Sequence, residues 1–282
     1  MHKRLTLDHA NVMGNVRQAT DDNDLPQPMI EWEDSAVILS ARPHGEQATI
    51  VNVLSAQHGR YAGLLPGGQT PRWQPLLQPG NPVRARWRAR LPEHLGHYQF
   101  EGAGAGAARW LSEPWVLAVI DSACSVAEKA LPERQPQPLI YDGMCHLLLL
   151  EDADLFGAAY VQWELGLLAA LGYGLDLSVC AVTQRAEDLF YVSPRTGRAV
   201  SRAAGTAYHD KLLPLPGFLR GELDWSPAAV RQGLQLTAHF LARRVFHLTA
   251  SRHAADWHDC LPAARRRLME ASGAAITASQ AA

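Results

Sequence analysis

The chain has 282 residues, 47% hydrophobic content and a formal net charge of −2. Such a length accommodates two domains with ordinary cores, and the near-neutral balance excludes a generally basic nucleic-acid-coating protein. No run of about 18 apolar residues exists to span a membrane, and the N-terminus lacks the apolar core of a signal peptide.

Residues 1–28 are polar and end in Asp-Asp-Asn-Asp-Leu-Pro-Gln-Pro. They read as a disordered extension, or as sequence upstream of a protein whose natural start is Met29. Acids cluster early, at Asp8, Asp21, Asp22, Asp24, Glu31, Glu33 and Asp34. From Ser35 to Glu101 the segments are short and punctuated by glycine and proline. Strands are expected at Val37 to Arg42, Ala48 to Leu54, Arg60 to Leu65, Val83 to Leu91 and Leu95 to Glu101. Five strands in so short a stretch predict a small closed barrel, for which the OB-fold, a binder of single strands, is the natural candidate.

The fourth of these strands reads Val-Arg-Ala-Arg-Trp-Arg-Ala-Arg-Leu. Strand side chains alternate between faces, so Trp87 belongs with the core and Arg84, Arg86, Arg88 and Arg90 share the other side. Residues two apart are separated by roughly 6.8 Å, close to the phosphate spacing of an extended single strand. No acid occurs between Gln47 and Pro92, and this local asymmetry is what steers a polyanion. Arg42, Arg60 and Arg72 extend the candidate surface. Trp73 is either a stacking platform for bases or a cover on the barrel's end. Tyr61 and Tyr98 are left open, and His44, His58, His94 and His97 read as surface residues without metal-ligand spacing.

Gly102 to Ala107 alternates glycine and alanine and reads as a linker, so the barrel domain is placed at 29–107. Beyond it, in 108–282, the period is helical. Ser112 is expected to cap a helix running to about Leu131, a second covers Leu139 to Leu150, and Asp154 caps a third. In that third helix Phe156, Tyr160, Trp163, Leu167 and Leu171 recur at helical spacing, and apolar residues on its other faces predict central burial. A fourth starts at Ser226-Pro227 with the stripe Val230, Leu234, Leu241, Val245 and Leu248. A last helix follows Pro262, with Arg265, Arg266 and Arg267 read as a solvated or DNA-contacting turn. Between the third and fourth helices, residues 175–219 contain a hairpin, Leu189 to Val192 and Arg198 to Ser201, too short for a large core of its own.

At several places in order, from Trp32 to Glu46, His58 to Gly68, Leu77 to Asn81, Leu165 to Cys180, Asp188 to Ser201, Leu213 to Pro216 and Leu241 to Phe246, the sequence resembles the bacterial RecO family of DNA repair proteins. The resemblance covers about Met29 to Leu268. It implies an α+β architecture, with an N-terminal five-stranded OB-fold barrel, a helical domain and an inserted zinc-ribbon-like hairpin. It further implies a cytoplasmic recombination mediator that binds single- and double-stranded DNA and anneals strands. Such a protein works with RecR, contacts the acidic C-terminal tail of single-strand-binding protein (SSB), and helps load RecA. Arg243 and Arg244 are the candidate docking point for that tail, although cations late in a helix also complement its dipole. Many relatives hold zinc through two CxxC pairs, whose equivalents here are Cys180, Thr183, Ser201 and Ala204. One thiolate does not supply four tetrahedral ligands, so no metal and no cofactor are expected, and the inserted module is degenerate. The four scattered cysteines suit reduced thiols.

No nucleophile elbow, HExxH, P-loop or Rossmann fingerprint occurs, and no catalytic residue is nominated. The competing readings are an OB-fold RNA-binding factor of translation or RNA processing, whose phosphates are the same, and a hydrolase with a deep polar pocket among the helices.

Overall fold

The computed structural model describes residues 29–104, 106–247 and 257–281. Residues 1–28, with their acids, and Leu248 of the expected stripe lie outside the described residues.

The first half is a closed five-stranded barrel. Its strands are β1 (Ile30–His44), β2 (Ala48–Ser55), β3 (Gly59–Leu65), β4 (Pro82–Ala89) and β5 (His97–Gly102), joined in the order β1-β2-β3-β5-β4 with β4 returning to β1. All pairings are antiparallel except β3 with β5, which meet in parallel at Leu64 and His97. This is the OB-fold order that the sequence predicts.

β1 is longer than expected, because the polar stretch before Val37 is also strand. Its first part, Ile30 to Val37, pairs with β4, and its second, Ala36 to His44, pairs with β2. One strand therefore closes the barrel by serving two neighbours. A bulge between Ile38 and Ser40 re-aims side chains where the two pairings meet. Ala36 and Ile38 face the barrel core with Val51, Val53, Tyr61, Val83, Trp87, Tyr98 and Phe100, while Val37, Leu39 and Leu54 join the helical core. Tyr61 and Tyr98 are thus both core residues. At Gly96, with φ +65°, a Cβ would lie 2.3 Å from the Trp87 indole, so glycine is required for the loop to cross that ring.

The second half is built on α1 (Pro114–Ala130), α2 (Pro138–Leu149) and α3 (Phe156–Ala170). Proline occupies the first turn of α1 and α2, where its missing N–H costs no intrahelical bond. The residue at the start of α1 is Glu113 rather than Ser112, and its side chain makes no capping bond. Before α3 comes a 3-10 turn capped by Asp152, whose Oδ1 accepts from the Asp154 N–H at 2.9 Å, not by Asp154 itself. α3 is buried on several faces, as its all-round apolar pattern implies.

The insertion forms a small sheet, β7-β6-β8, from β6 (Leu189–Val192), β7 (Ala199–Ser201) and β8 (Leu213–Pro214). Leu189, Val192, Ala199 and Val200 are buried in the common helical core, which replaces the core this short module cannot make alone. A four-residue turn, α4 (Arg202–Gly205), follows β7. α5 (Pro227–Phe240) starts at Ser226, whose Oγ accepts from the Ala229 N–H at 3.3 Å. α5 then widens into a π-helical turn over Leu241–Phe246, where a continued α-helix was expected. α6 (Ala263–Ala281) packs on α1 and α5.

The halves are firmly joined. α1 lies on β1 and β2, with Cys124 Sγ 3.6 Å from the Ile38 carbonyl. Where α1 ends, the chain runs alongside β3, and the Arg134 N–H donates to Arg60 O at 2.8 Å.

Candidate nucleic-acid interface

On β4, Val83, Ala85, Trp87 and Ala89 are buried and Arg84, Arg86 and Arg88 are exposed; the strand ends at Ala89, short of the expected Leu91, and Arg90 follows it, exposed, in a bend. The strand period thus delivers three guanidinium groups to one outward face, with Arg90 exposed just past its end. Their neighbours decide what each can do. Across the β1 edge Glu31 stands opposite Arg88, and Glu33 opposite Arg86. Across the β5 edge, His97 stands opposite Arg88, Gln99 opposite Arg86 and Glu101 opposite Arg84.

The ion pairs run diagonally. Arg84 Nε donates to Glu33 Oε1 at 2.9 Å, and Arg86 Nε donates to Glu31 Oε1. Among the described residues neither Arg88 nor Arg90 has an ion-pair partner. A free ladder of four like charges is therefore not present, which corrects the expectation from the sequence. The face is graded: Glu33 and Glu101 flank Arg84, whereas Arg88 stands between Glu31 and His97 with its guanidinium unpaired. Both paired arginines remain half exposed, at 52% of the side chain, so their salt bridges are screened and weak.

The missed residues are Glu31 and Glu33. Their signal was in the sequence, since Ile30-Glu31-Trp32-Glu33 alternates just as β4 does, with the opposite charge.

The other sequence candidates separate. Arg42 pairs with Glu128 of α1, a carboxylate only 10% exposed that also accepts from Ser40 Oγ at 2.6 Å and Asn52 Nδ2 at 3.1 Å. Arg60 donates to the Leu131 carbonyl at 2.8 Å and pairs with Glu133 at 3.1 Å. Both tie the barrel to the helices instead of extending the β4 face. Trp73 packs partly buried against the barrel core, the covering position, with Arg72 4.9 Å over its ring.

In the helical half, Arg244 Nη2 donates to the Arg195 carbonyl at 3.0 Å and pins the hairpin turn. Arg243, beside it on the π-helical turn, is exposed. Arg265 is not a surface residue. It is fully buried, with Nε 2.6 Å from Glu164 Oε1 and Nη2 2.8 Å from the Leu234 carbonyl. Arg267 pairs with Asp121 at 3.0 Å, and Arg266 donates to the carbonyls of Asp259 and Leu261.

Of the four positions expected to correspond to zinc ligands, Cys180, Thr183 and Ser201 come together. Cys180 Sγ accepts from the Ser201 N–H at 3.2 Å and the Thr183 N–H at 3.5 Å, and lies 3.5 Å from Ser201 Oγ. Burial pushes this thiol up, but the hydroxyl and amide hydrogen bonds from Ser201 and Thr183 outweigh it and bring it down to about 6. A single sulfur beside Ser201 and Thr183, with alanine at position 204, does not supply the four ligands of zinc. Among the described residues no three histidine, cysteine or acidic side chains group to hold a metal.

A cavity of about 470 Å³ lies between Trp115, Gly157, Trp225 and Val230, and another of about 580 Å³ lies between α2 and α3. In the first, Ser226 is engaged as the α5 cap and Ser272 Oγ donates to the Met269 carbonyl, with Asp154 the charged residue of the lining. In the second, His146 and Gln162 are the polar groups. Neither is the deep polar pocket a hydrolase reading requires. Among the described residues no helix is long and apolar enough to cross a membrane.

Two family models match the sequence, "Recombination protein O N terminal" over residues 29–102 and "Recombination protein O C terminal" over 114–253. The chain is 48% identical over 252 residues to the DNA repair protein RecO of Rhodospirillum centenum, covering 89% of this chain and 98% of that one. To the DNA repair protein RecO of Rhodospirillum rubrum it is 45% identical over 250 residues, covering 86% and 96%. The chain belongs to the RecO family. RecO relatives carry a role in DNA repair and recombination, and the match spans the barrel, the helices and the insertion alike.

Proposed function

We propose that this RecO-family chain is a recombination mediator that binds and anneals DNA and helps load RecA onto SSB-coated single strands. The observation that carries the reading is the unpaired couple Arg88 and Arg90, exposed beside His97 at one end of an OB-fold barrel face. Guanidinium groups there meet phosphates without reading sequence, and Arg84 and Arg86 join by exchanging a weak surface carboxylate for a phosphate. Neutralising two strands lowers their repulsion and leaves base pairing to supply the free energy of annealing, so no covalent step is needed. In this reading the barrel, 29–107, takes DNA, and the helical part, 108–282, takes protein partners. RecR is one of them, and the acidic SSB tail docks with exposed Arg243 as its cation. The setting is the cytoplasm, with neither metal nor cofactor.

The test is competition between DNA and RNA oligonucleotides of equal length, alongside titration with an SSB-tail peptide. DNA binding at least equal to RNA binding, with measurable tail affinity, is expected. Strong RNA preference without tail binding favours the RNA-factor reading and overturns this one.

A further inference from the structure

The loop between β4 and β5, Leu91 to Gly96, is exposed along most of its length and borders Arg90 directly. A loop of this kind is ordinarily the least ordered part of a barrel. Here its carbonyls are held one after another from outside the loop. The Trp87 indole N–H donates to Leu95 O at 2.9 Å, and the Leu64 N–H donates to Gly96 O at 2.9 Å. The two remaining anchors both come from one side chain, Arg134, which donates to Pro92 O and, at 2.9 Å, to His94 O.

Arg134 does not belong to the barrel. It sits between α1 and α2, on the stretch fastened to β3 by its own N–H and by the Arg60–Glu133 ion pair. The fit there is close, since a Cβ at Gly59 would lie 1.9 Å from the Gln135 carbonyl oxygen. The Arg134 guanidinium lies 4.8 Å from the Tyr61 ring centre and 5.9 Å from that of Trp87. Its backbone has φ +60°, the left-handed region that non-glycine residues rarely adopt. Such a conformation persists only when its surroundings over-determine it, and it collects at sites where geometry matters.

We infer that Arg134 is a positioning residue that sets the β4–β5 loop from the helical half and so holds the Arg88 and Arg90 end of the face in shape for a phosphate backbone. The role rests on the nucleic-acid reading of β4 and adds to it a link between the two halves. It depends on the fork of the guanidinium, which reaches two carbonyls together, as a single ammonium does not. Charge alone does not reproduce it.

Two variants separate the possibilities. R134K keeps the charge and loses the fork, whereas R134G deletes the side chain while relieving the left-handed backbone. Amide exchange across residues 91–97 is measured beside titration of a fluorescent oligothymidylate at several salt concentrations. Both variants are expected to speed exchange of the His94 amide about tenfold, because charge-assisted hydrogen bonds to the loop are lost. Both weaken oligonucleotide binding severalfold while leaving the slope against salt at the wild-type value. Unchanged exchange in both variants overturns the positioning role. Wild-type binding by R134K with a flattened slope in R134G also overturns it, making Arg134 a phosphate contact. If the wild-type protein binds no oligonucleotide, the nucleic-acid reading fails, and the exchange measurement still decides whether Arg134 positions the loop.

Discussion

Arg265 on α6 and Arg88 on β4 show two fates for a guanidinium group in one chain. Arg265 is wholly buried, and its Glu164 partner on α3 is wholly buried too. Thr237 Oγ1 donates to the same carboxylate at 2.5 Å, so three helices meet on one polar knot. Arg88 lies on an open strand face opposite Glu31, which pairs with Arg86 instead, so among the described residues Arg88 has no ion-pair partner. Both belong to arginine-rich runs. The difference lies in the acid that each run meets once folded. A lone carboxylate inside an apolar helix fixes a buried cation. A strand with two outward acids pairs with only two of the arginines beside it.

The comparison breaks most severely at the buried pair. R265A leaves Glu164 charged without its partner, and removing one member of such a pair typically costs about 3–5 kcal/mol. Urea unfolding is expected to show a loss of that size, while oligonucleotide binding by the protein that remains folded keeps its salt slope. A loss under about 1 kcal/mol places Arg265 among ordinary surface residues.

β1 holds the same contrast between two adjacent residues, since Asp34 is buried and Glu33 exposed. Burial alone raises the Asp34 carboxyl, but hydrogen bonds from Ser55 Oγ and from the N–H groups of Gln57 and Ser35, with help from His58, outweigh it and hold it below its ordinary value. A depressed acid stabilises the fold above its unfolded value and loses that contribution as pH falls through the folded one. D34N is therefore expected to cost about 1–3 kcal/mol at pH 7. It should also remove part of the acid destabilisation below about pH 4 that the wild type shows in thermal unfolding. Equal acid sensitivity in both proteins contradicts this.

The smallest effect is expected outside. E31Q/E33Q releases Arg86 and Arg84 from their ion pairs and removes the Glu31 charge opposite Arg88. Oligonucleotide affinity should rise about two- to fivefold at low salt and the salt slope should steepen. Unchanged affinity means that the acids do not compete with phosphate.

Much of this was legible because it rests on period. Alternation along β4 announced a buried Trp87 and four outward arginines, and glycine and proline punctuation marked the turns of the barrel. The 3.6-residue recurrence through Phe156, Tyr160 and Trp163 marked the central helix. Long-range pairing was not legible. Arg42 with Glu128, Arg60 with Glu133 and Arg265 with Glu164 join residues far apart in sequence, and no local pattern specifies such partners. Within the apolar run of α3 the isolated Glu164 was the one visible hint, because a charge placed there requires an opposite charge. The early start of β1 was hidden for a different reason. Its acids look like a loop until their alternation is matched to that of β4.

The central claim is that the unpaired end of β4 is where nucleic acid is gripped. The measurement that tests it most directly is the salt dependence of single-strand binding by R88A/R90A set beside R84A/R86A. Losing two phosphate contacts should lower the slope of log K against log salt by about 1.4 in R88A/R90A. R84A/R86A should lose less, because those arginines must first give up Glu33 and Glu31. Equal slopes in R88A/R90A and the wild type, or a larger loss in R84A/R86A, would contradict the account.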